Sequence, residues 1–249
     1  MGNFTDKVVL VTGAANNIGK GIAHKFAQKG ANTVIVDYNE EQGKKTADEL
    51  TQNYSPSLFV QADVSDPDAM LKVREEVFNT FKQIDVLVLN AGIGNKNKMS
   101  DITYEDWNKM LNINLSGLFN TVKAFYEDFL VNKGAIVYIS SGSALSGTGG
   151  GVPYPASKAG GEGLMRGLAK ELGPSGVNVN TVAPRLIDTG MLKVSHPTKE
   201  SLDKAIQEVP VGRLGTIEDI ANLTYFLADP ANSFIQGQTI LLDGGRTVG

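Results

Sequence analysis

The regular alternation of short β-branched runs with amphipathic stretches constrains this chain most. The runs predict strands at Lys7–Thr12, Thr33–Asp37, Leu58–Gln61, Asp85–Asn90, Ala135–Ser140, Val177–Val182 and Thr239–Leu242. The stretches between them predict helices at Ile18–Gly30, Glu40–Asn53, Pro67–Phe81, Thr103–Leu130, Pro155–Leu172, Thr198–Gln207 and Thr216–Leu227. Strands and helices that alternate at this spacing predict an α/β fold, a doubly wound parallel sheet of about seven strands with helices on both faces.

Length and composition exclude several classes of protein. No linker or repeat divides the 249 residues, so we expect a single domain over residues 1–249. The net charge of −4 argues against a nucleic-acid partner. With no Cys and two distant His, we expect no metal site. No apolar run is long enough to span a bilayer, so we expect a cytoplasmic protein without a membrane partner.

A glycine-containing turn between the first strand and first helix predicts a phosphate site. The turn contains Gly13, Asn16, Asn17, Ile18 and Gly19, and a helix N-terminus in such a turn presents N–H groups to a phosphate. An ordinary strand–helix turn remains open as the alternative.

The end of the second strand indicates which dinucleotide would bind. Asp37 follows Gly13 by 24 residues, where an acidic side chain can bind an adenosine ribose and repel a 2′-phosphate. Neither Asn16 nor Tyr38 offsets that charge, so NAD is favoured over NADP. A plain helix-cap role for Asp37 is the alternative.

A tyrosine and a lysine share one face of the helix that follows the fifth strand. Tyr154 and Lys158 are four residues apart, so an ammonium group would lie near a phenol and ease its ionisation. Most such pairs are solvated helix faces. This pair, however, follows the hydroxyl-rich end of a strand, where open α/β sheets bind ligands.

Taken together, these motifs resemble the short-chain dehydrogenase/reductase family from end to end, which implies a single Rossmann-type domain. The resemblance rests on the glycine turn, Tyr154-x3-Lys158, and Ser141 thirteen residues before Tyr154. Further matches are Asp63-Val64, Asn90-Ala91-Gly92, Asn114, and the positions of Pro184, Ile187 and Thr189. By this resemblance we expect all of them except Ser141 and Asn114 to contact the cofactor.

The resemblance also implies a mechanism. Tyr154 would be the general acid/base, Lys158 would lower its pKa and hold the nicotinamide ribose, and Ser141 would bind the substrate oxygen. Asn114 would hold a water that links Lys158 to solvent. Family members are commonly dimers or tetramers, and four glycines in the Tyr154 helix fit a homo-oligomer, for which a homotetramer is our expectation.

Two departures from the family pattern bear on function. Asn17 replaces a glycine of the first turn, and Arg185 replaces the glycine that follows Pro184. We hypothesise that Arg185 binds an anionic substrate, with solvation or pairing with Asp188 as the alternative. We also expect Ser143 and Met191 to contact the substrate. Met191 belongs to a substrate loop at about 186–210, and the family resemblance implies that this loop closes over the substrate.

The sequence leaves the substrate open. We expect an NAD-dependent oxidoreductase that interconverts a secondary alcohol and a ketone or aldehyde of a small polar, sugar- or polyol-like substrate. Two alternatives are an enzyme like 3-oxoacyl-acyl-carrier-protein reductase and a non-catalytic NAD sensor. Acyl-carrier-protein reductases usually prefer NADP and carry a basic docking patch, so Asp37 and the acidic balance count weakly against the first.

Overall fold

A computed structural model describes residues 4–94, 98–189 and 198–247. They form a seven-stranded parallel sheet in the order β3-β2-β1-β4-β5-β6-β7. The strands are β1 (Val8–Thr12), β2 (Asn32–Asp37), β3 (Ser57–Gln61), β4 (Val86–Leu89), β5 (Gly134–Ile139), β6 (Val177–Pro184) and β7 (Thr239–Leu242). This confirms the predicted doubly wound α/β fold.

Helices cover both faces of the sheet. They are α1 (Asn17–Ala27), α2 (Glu40–Asn53), α3 (Pro67–Phe81), α4 (Tyr104–Leu111), α5 (Gly117–Asn132), α6 (Ser143–Ser146), α7 (Pro153–Leu172), α8 (Lys199–Gln207) and α9 (Ile217–Ala228). One buried apolar cluster joins the sheet to α3, α5 and α7, and a second joins it to α1, α2 and α9. Because both faces are covered, β1, β4 and β6 are buried throughout. β1 and β4 read as apolar runs, whereas β6 also carries the buried polar residues Asn178, Asn180 and Thr181.

The order of the sheet locates its ligand crevice. β1 pairs with β2 on one side and with β4 on the other, so the chain reverses its direction of winding at β1. In open parallel sheets, ligands bind at the carboxyl ends of the strands beside such a switch point. The glycine turn after β1 and the residues after β4 meet there.

The prediction of one continuous helix over Thr103–Leu130 is wrong, because the helix is interrupted near its middle. A π-helical turn at Asn112–Ser116 separates α4 from α5. A wider turn inside a helix displaces the following side chains, and such turns are frequent at functional sites. The sequence pattern does not show it because the apolar spacing continues across the turn.

Smaller corrections concern the ends of elements. α7 begins at Pro153, two residues before the predicted start, and β6 continues to Pro184. The short α6 was not predicted. Within the described ranges, no helix has the length and apolar character that a membrane crossing requires.

Candidate active site

A cleft of about 640 Å³ opens at the carboxyl ends of the central strands. It brings together nearly all the residues that the sequence assigns to the cofactor. Those lining it are Gly13, Asn16, Asn17, Ile18, Gly19, Asp37, Tyr38, Asp63, Val64, Asn90, Ala91, Gly92, Tyr154, Lys158 and Thr189. The cleft volume lies within the usual range for cofactor and small-molecule sites.

The glycine turn is held closed by direct contacts between its two ends. A Cβ atom on Gly19 would lie 2.2 Å from the Gly13 carbonyl oxygen, so only glycine allows this approach. Gly13 itself has φ +65°. The side-chain amide of Asn90 donates to the carbonyl oxygens of Thr12 and Gly13, both at 3.0 Å, and so ties the turn to the end of β4.

Asn17 occupies the turn position where the family usually has glycine. Its φ of 47° lies in the left-handed region, which asparagine tolerates better than most residues. The Asn17 amide donates to Asn16 Oδ1 at 2.8 Å. Asn16, at the N-cap of α1, makes no side-chain capping bond. The first N–H groups of α1 are therefore left for a ligand such as a phosphate.

Asp37 joins the end of β2 to the glycine turn. Its carboxylate is 8% exposed and accepts hydrogen bonds from the N–H groups of Ala15 and Asn39, each at 3.0 Å. Each carboxylate oxygen has a further lone pair that can accept from a ribose hydroxyl. Tyr38 beside it is 77% exposed at the edge of the cleft.

Tyr154 lies near the start of α7, under a second glycine-containing segment, the glycine-rich loop at 147–151. A Cβ atom on Gly150 would lie 2.7 Å from the Tyr154 ring, so the loop backbone rests directly on the phenol. Burial raises the pKa of Tyr154, and hydrogen bonding from Ser141 lowers it. Ser141 also donates to Ser143 Oγ at 3.1 Å, so the predicted substrate residue Ser143 lies beside the serine that is expected to bind the substrate oxygen.

Lys158 is buried one helical turn after Tyr154. Its ammonium donates to the Ile139 carbonyl oxygen at 2.9 Å and lies 5.8 Å from the centre of the Tyr154 ring. Burial lowers the pKa of Lys158 to about 8, and the Glu162 carboxylate opposes this effect. The lysine therefore titrates within the pH range where an acid/base tyrosine has to work.

The π-helical turn positions Asn114 behind the cleft. Asn114 Oδ1 accepts from Ile93 N at 2.8 Å, and its amide nitrogen donates to Ile93 O at 2.9 Å and to Ser157 Oγ at 3.1 Å. The space beside Gly92 separates Asn114 from Lys158: a Cβ atom there would lie 3.2 Å from Asn114 Oδ1 and 3.5 Å from Lys158 Nζ. In the described structure no hydrogen bond joins the two side chains directly, and the water relay stays a prediction.

Three further predicted residues, like Asn114, Ser141 and Ser143, are not among the residues that line the cleft. Pro184 contributes its carbonyl oxygen to the N–H of Gly142 at 2.9 Å. Ile187 is buried and pairs with Gly215. Arg185 lines a separate cavity of about 110 Å³. The roles assigned to all three stay predictions, and Met191 lies outside the described residues.

Eight residues that line the cleft were not assigned to it from the sequence, namely Val36, Asn39, Ala62, Ile93, Lys109, Ile113, Ile139 and Ser140. Lys109 lines it from α4, one helical turn before Ile113, which also lines it. The four-residue spacing from Ile113 was the signal available, since residues so spaced share a helix face. In the described part of the chain, no cluster of three His, Cys, Asp or Glu is arranged to hold a metal ion.

Comparisons with known proteins show which family this chain resembles. A family model described as Enoyl-(Acyl carrier protein) reductase, one of the short-chain dehydrogenase/reductase models, matches residues 13–247. The chain is 34% identical to a 3-oxoacyl-acyl-carrier-protein reductase of Buchnera aphidicola, over 97% of both proteins. This chain belongs to the short-chain dehydrogenase/reductase family.

Two further relatives show how widely substrates differ among similar family members. A hydroxy(phenyl)methyl-succinyl-CoA dehydrogenase subunit of Thauera aromatica is 37% identical, over 98% of this chain and 97% of that protein. The solved structure of levodione reductase is 30% identical, with a TM-score of 0.92 and 99% of each chain covered. This short-chain dehydrogenase/reductase is therefore an NAD(P)-dependent oxidoreductase whose substrate is not fixed by its family.

The residues of the cleft fit a nicotinamide dinucleotide. Gly13 and Gly19 let the turn close tightly, and this brings the uncapped start of α1 to the cleft, where its N–H groups suit a pyrophosphate. Asp37 supplies acceptors for a ribose, and Lys158 supplies donors at the other end of the cleft.

Proposed function

We propose that this enzyme interconverts a secondary alcohol and a ketone or aldehyde of a small polar substrate, with NAD as its cofactor. One observation carries the proposal: Tyr154 and Lys158 line the same cleft as Asp37. A proton-transfer pair and a ribose acceptor in one cleft are the two requirements of hydride transfer to NAD.

The chemistry divides between the cofactor and the chain. A bound nicotinamide would accept or supply the hydride. The ionised Tyr154 phenolate would take the proton from the substrate alcohol, and in the reverse direction the neutral Tyr154 hydroxyl would give its proton to the carbonyl oxygen. The Lys158 ammonium would stabilise the ionised phenol, and Ser141 Oγ would donate to the substrate oxygen as negative charge develops on it.

The preference for NAD rests on the charges around Asp37. Its buried carboxylate would lie beside the 2′-position of the adenosine ribose, where a phosphate would meet like charge. The cations that line the described part of the cleft are Lys109 and Lys158. Lys158 is committed to the Tyr154 end, and Lys109 comes from α4 rather than from the residues after β2.

A second candidate function is reduction of a 3-oxoacyl group on acyl carrier protein. Its support is the name carried by several relatives, among them proteins of Aquifex aeolicus at 36% and Escherichia coli at 34% identity. Asp37 and the net charge of −4 favour the first candidate, because an acidic chain lacks the positive field that would attract an acidic carrier protein.

We further propose that the substrate carries an anionic group near Arg185. Its guanidinium donates to Thr247 Oγ1 at 3.1 Å and to Thr148 Oγ1 at 3.3 Å. In the described ranges it forms no ion pair within 4.0 Å, although the Asp243 carboxylate of the same cavity interacts with its charge over a longer distance. Thr148 belongs to the loop that rests on Tyr154, and the Arg185 side chain packs across the Gly142 backbone, next to Ser141. The three unbonded N–H groups could take a carboxylate or phosphate.

The test is an absorbance assay for reduced nicotinamide. The purified enzyme would be incubated with NAD or NADP and a panel of secondary alcohols, half of them anionic, alongside acetoacetyl-carrier-protein reduction. We expect turnover with NAD and an anionic alcohol, and a raised KM in Arg185→Ala. Faster turnover with the carrier protein and NADPH would favour the second candidate, and an unchanged KM in Arg185→Ala would exclude the anion site.

We also propose a homo-oligomer, either dimer or tetramer. Within one chain, Gly160 and Gly161 of α7 pack on Leu115 and Tyr138, whereas Gly163 and Gly167 face open space. Phe119 of α5 is 54% exposed. Small residues and an exposed aromatic on neighbouring helices suit contact with a second copy. Sedimentation at micromolar concentration tests this, and a monomer would contradict it.

A further inference from the structure

Two residues at the end of β5 contact the Lys158 ammonium, and the residue after them binds Glu162. The Tyr138 ring lies beneath it, with 5.1 Å between Nζ and the ring centre, and the Ile139 carbonyl oxygen accepts from it at 2.9 Å. The next residue, Ser140, donates its hydroxyl to Glu162 Oε1 at 2.8 Å. One stretch of strand thus holds both a lysine and a glutamate of α7.

The ammonium needs a nearby negative charge. Lys158 is 4% exposed, and of its three N–H groups one has a hydrogen-bond acceptor among the described residues. A buried, incompletely bonded ammonium loses its proton unless an opposite charge compensates. The Tyr138 ring supplies a weak attraction through its π face, but no formal charge.

Glu162 is placed to supply that charge. It follows Lys158 by four residues on α7, so both lie on one helix face. Its side chain is 15% exposed, and its second oxygen lies 3.9 Å from Arg166 Nη1 on the outer side. Because Ser140 binds the first oxygen, the carboxylate is held towards the end of β5 instead of turning out to solvent, and its charge acts on Lys158 from beyond ion-pair distance.

We propose that Glu162, fixed by Ser140, is a positioning residue that keeps the buried Lys158 ammonium charged and so maintains the field that Tyr154 needs. The Tyr138 hydroxyl, buried and without a hydrogen-bond partner within the described ranges, cannot take over this role because a neutral phenol carries no charge. The effect on turnover rests on the proposed function, whereas the effect on the lysine does not.

The titratable groups that face Lys158 in the described structure are few. Tyr154 and Glu162 lie on its own helix and Tyr138 lies on β5, while the π-helical turn presents the neutral Asn114. The carboxylate raises the pKa of Lys158 against the effect of burial. Removing its charge therefore lowers the pH at which the lysine loses its proton.

The direct test follows the lysine by NMR in the enzyme without added nucleotide. The protein would carry lysine labelled with carbon-13 at Cε, and Lys158→Met would identify the Lys158 signal. We expect Glu162→Gln, which retains the acceptor for Ser140, to lower the titration midpoint by about one pH unit. Glu171→Gln is the matched control on the same helix, since Glu171 bonds Tyr126 away from the cleft, and should leave the midpoint unchanged.

An unchanged midpoint in Glu162→Gln would overturn the proposal. Should that variant fail to fold, Ser140→Ala gives a second test, because it retains the charge and releases the carboxylate. We expect a smaller downward shift there, and no shift would again contradict the proposal.

Kinetics separate this inference from the proposed function. For ketone reduction, Glu162→Gln should move the alkaline limb of the kcat/KM profile to lower pH. The control variant Glu171→Gln should keep the pH profile of the wild-type enzyme. A shifted NMR midpoint in an enzyme that turns over no alcohol or ketone would reject the proposed function and support the role of Glu162. Turnover of an alcohol or ketone together with an unshifted NMR midpoint in Glu162→Gln would support the proposed function and reject the role of Glu162.

Discussion

Asn114 donates its side-chain amide to Ser157 Oγ at 3.1 Å, and this bond joins the π-helical turn to α7. Ser157 in turn donates to the carbonyl oxygen of Tyr154 at 2.7 Å. Asn114 also holds the Ile93 backbone after β4. Three separate chain segments are therefore fixed around one buried amide, which places the Tyr154 phenol relative to the cleft before any ligand arrives.

Removing the Tyr154 hydroxyl should abolish turnover without weakening cofactor binding. For Tyr154→Phe we expect kcat to fall by about 10²–10⁴-fold, the range for loss of a general acid/base group. The dissociation constant for NAD, measured by fluorescence titration, should change by less than about threefold because the cleft keeps its other donors and acceptors. Tyr126→Phe, which removes a phenol that bonds Glu171 outside the cleft, should retain wild-type turnover.

Replacing Asp37 should change the choice of cofactor. Asp37→Ser removes the charge that would repel a 2′-phosphate and the acceptor for the ribose. We expect the ratio of kcat/KM for NADP to that for NAD to rise by about 100-fold. Asp68→Ser, on α3 and away from the cleft lining, is the control. A ratio unchanged by Asp37→Ser would mean that the carboxylate serves only to bind the N–H groups of Ala15 and Asn39.

The fold and the grouping of the cofactor residues could be predicted, because both follow from the pattern of apolar residues over short stretches of sequence. Apolar runs of strand length and apolar residues at helical spacing determine which segments form the sheet and which form the helices on its faces. The parallel sheet then brings Gly13, Asp37 and Asn90 together at the carboxyl ends of its strands. The π-helical turn could not be predicted, since it depends on the hydrogen bonds of Asn114 to Ile93 and Ser157, which are distant in sequence.

The direction of a long side chain is equally hard to predict. Arg185 follows β6 as expected, yet its guanidinium reaches Thr148 and Thr247 and lines a cavity apart from the main cleft. Several rotatable bonds separate the charge from the backbone, so the position in the chain fixes only where the side chain starts.

The ion pair at the start of α9 should make stability depend on pH. Hydrogen bonds from Arg213 and Thr216 lower the pKa of Asp219 to about 2 from an ordinary value of 3.8. Because the folded pKa is the lower one, this stabilisation is complete above about pH 4 and is lost as the pH falls towards 2.

Urea unfolding at pH 6, 4 and 3 measures this effect. We expect Asp219→Asn to lower the free energy of unfolding by about 1 kcal/mol at pH 6, after allowance for solvent screening, and by less at pH 3. Asp203→Asn, on the exposed face of α8, should show no such trend. A difference between wild type and Asp219→Asn that stays constant with pH would contradict the assignment.

Two glycines of α7 should respond in opposite ways to alanine. A Cβ atom on Gly161 would lie 2.7 Å from the Tyr138 ring, which is fully buried, whereas one on Gly163 would meet no atom within 4 Å. We expect Gly161→Ala to lower the free energy of unfolding by about 1–3 kcal/mol through overpacking. In the monomeric chain, where no second copy covers Gly163, Gly163→Ala should raise it by up to about 1 kcal/mol through helix propensity. Urea unfolding of both variants at one pH decides this: equal stability would mean that Tyr138 moves aside, and its ring would then not be a fixed support for Lys158.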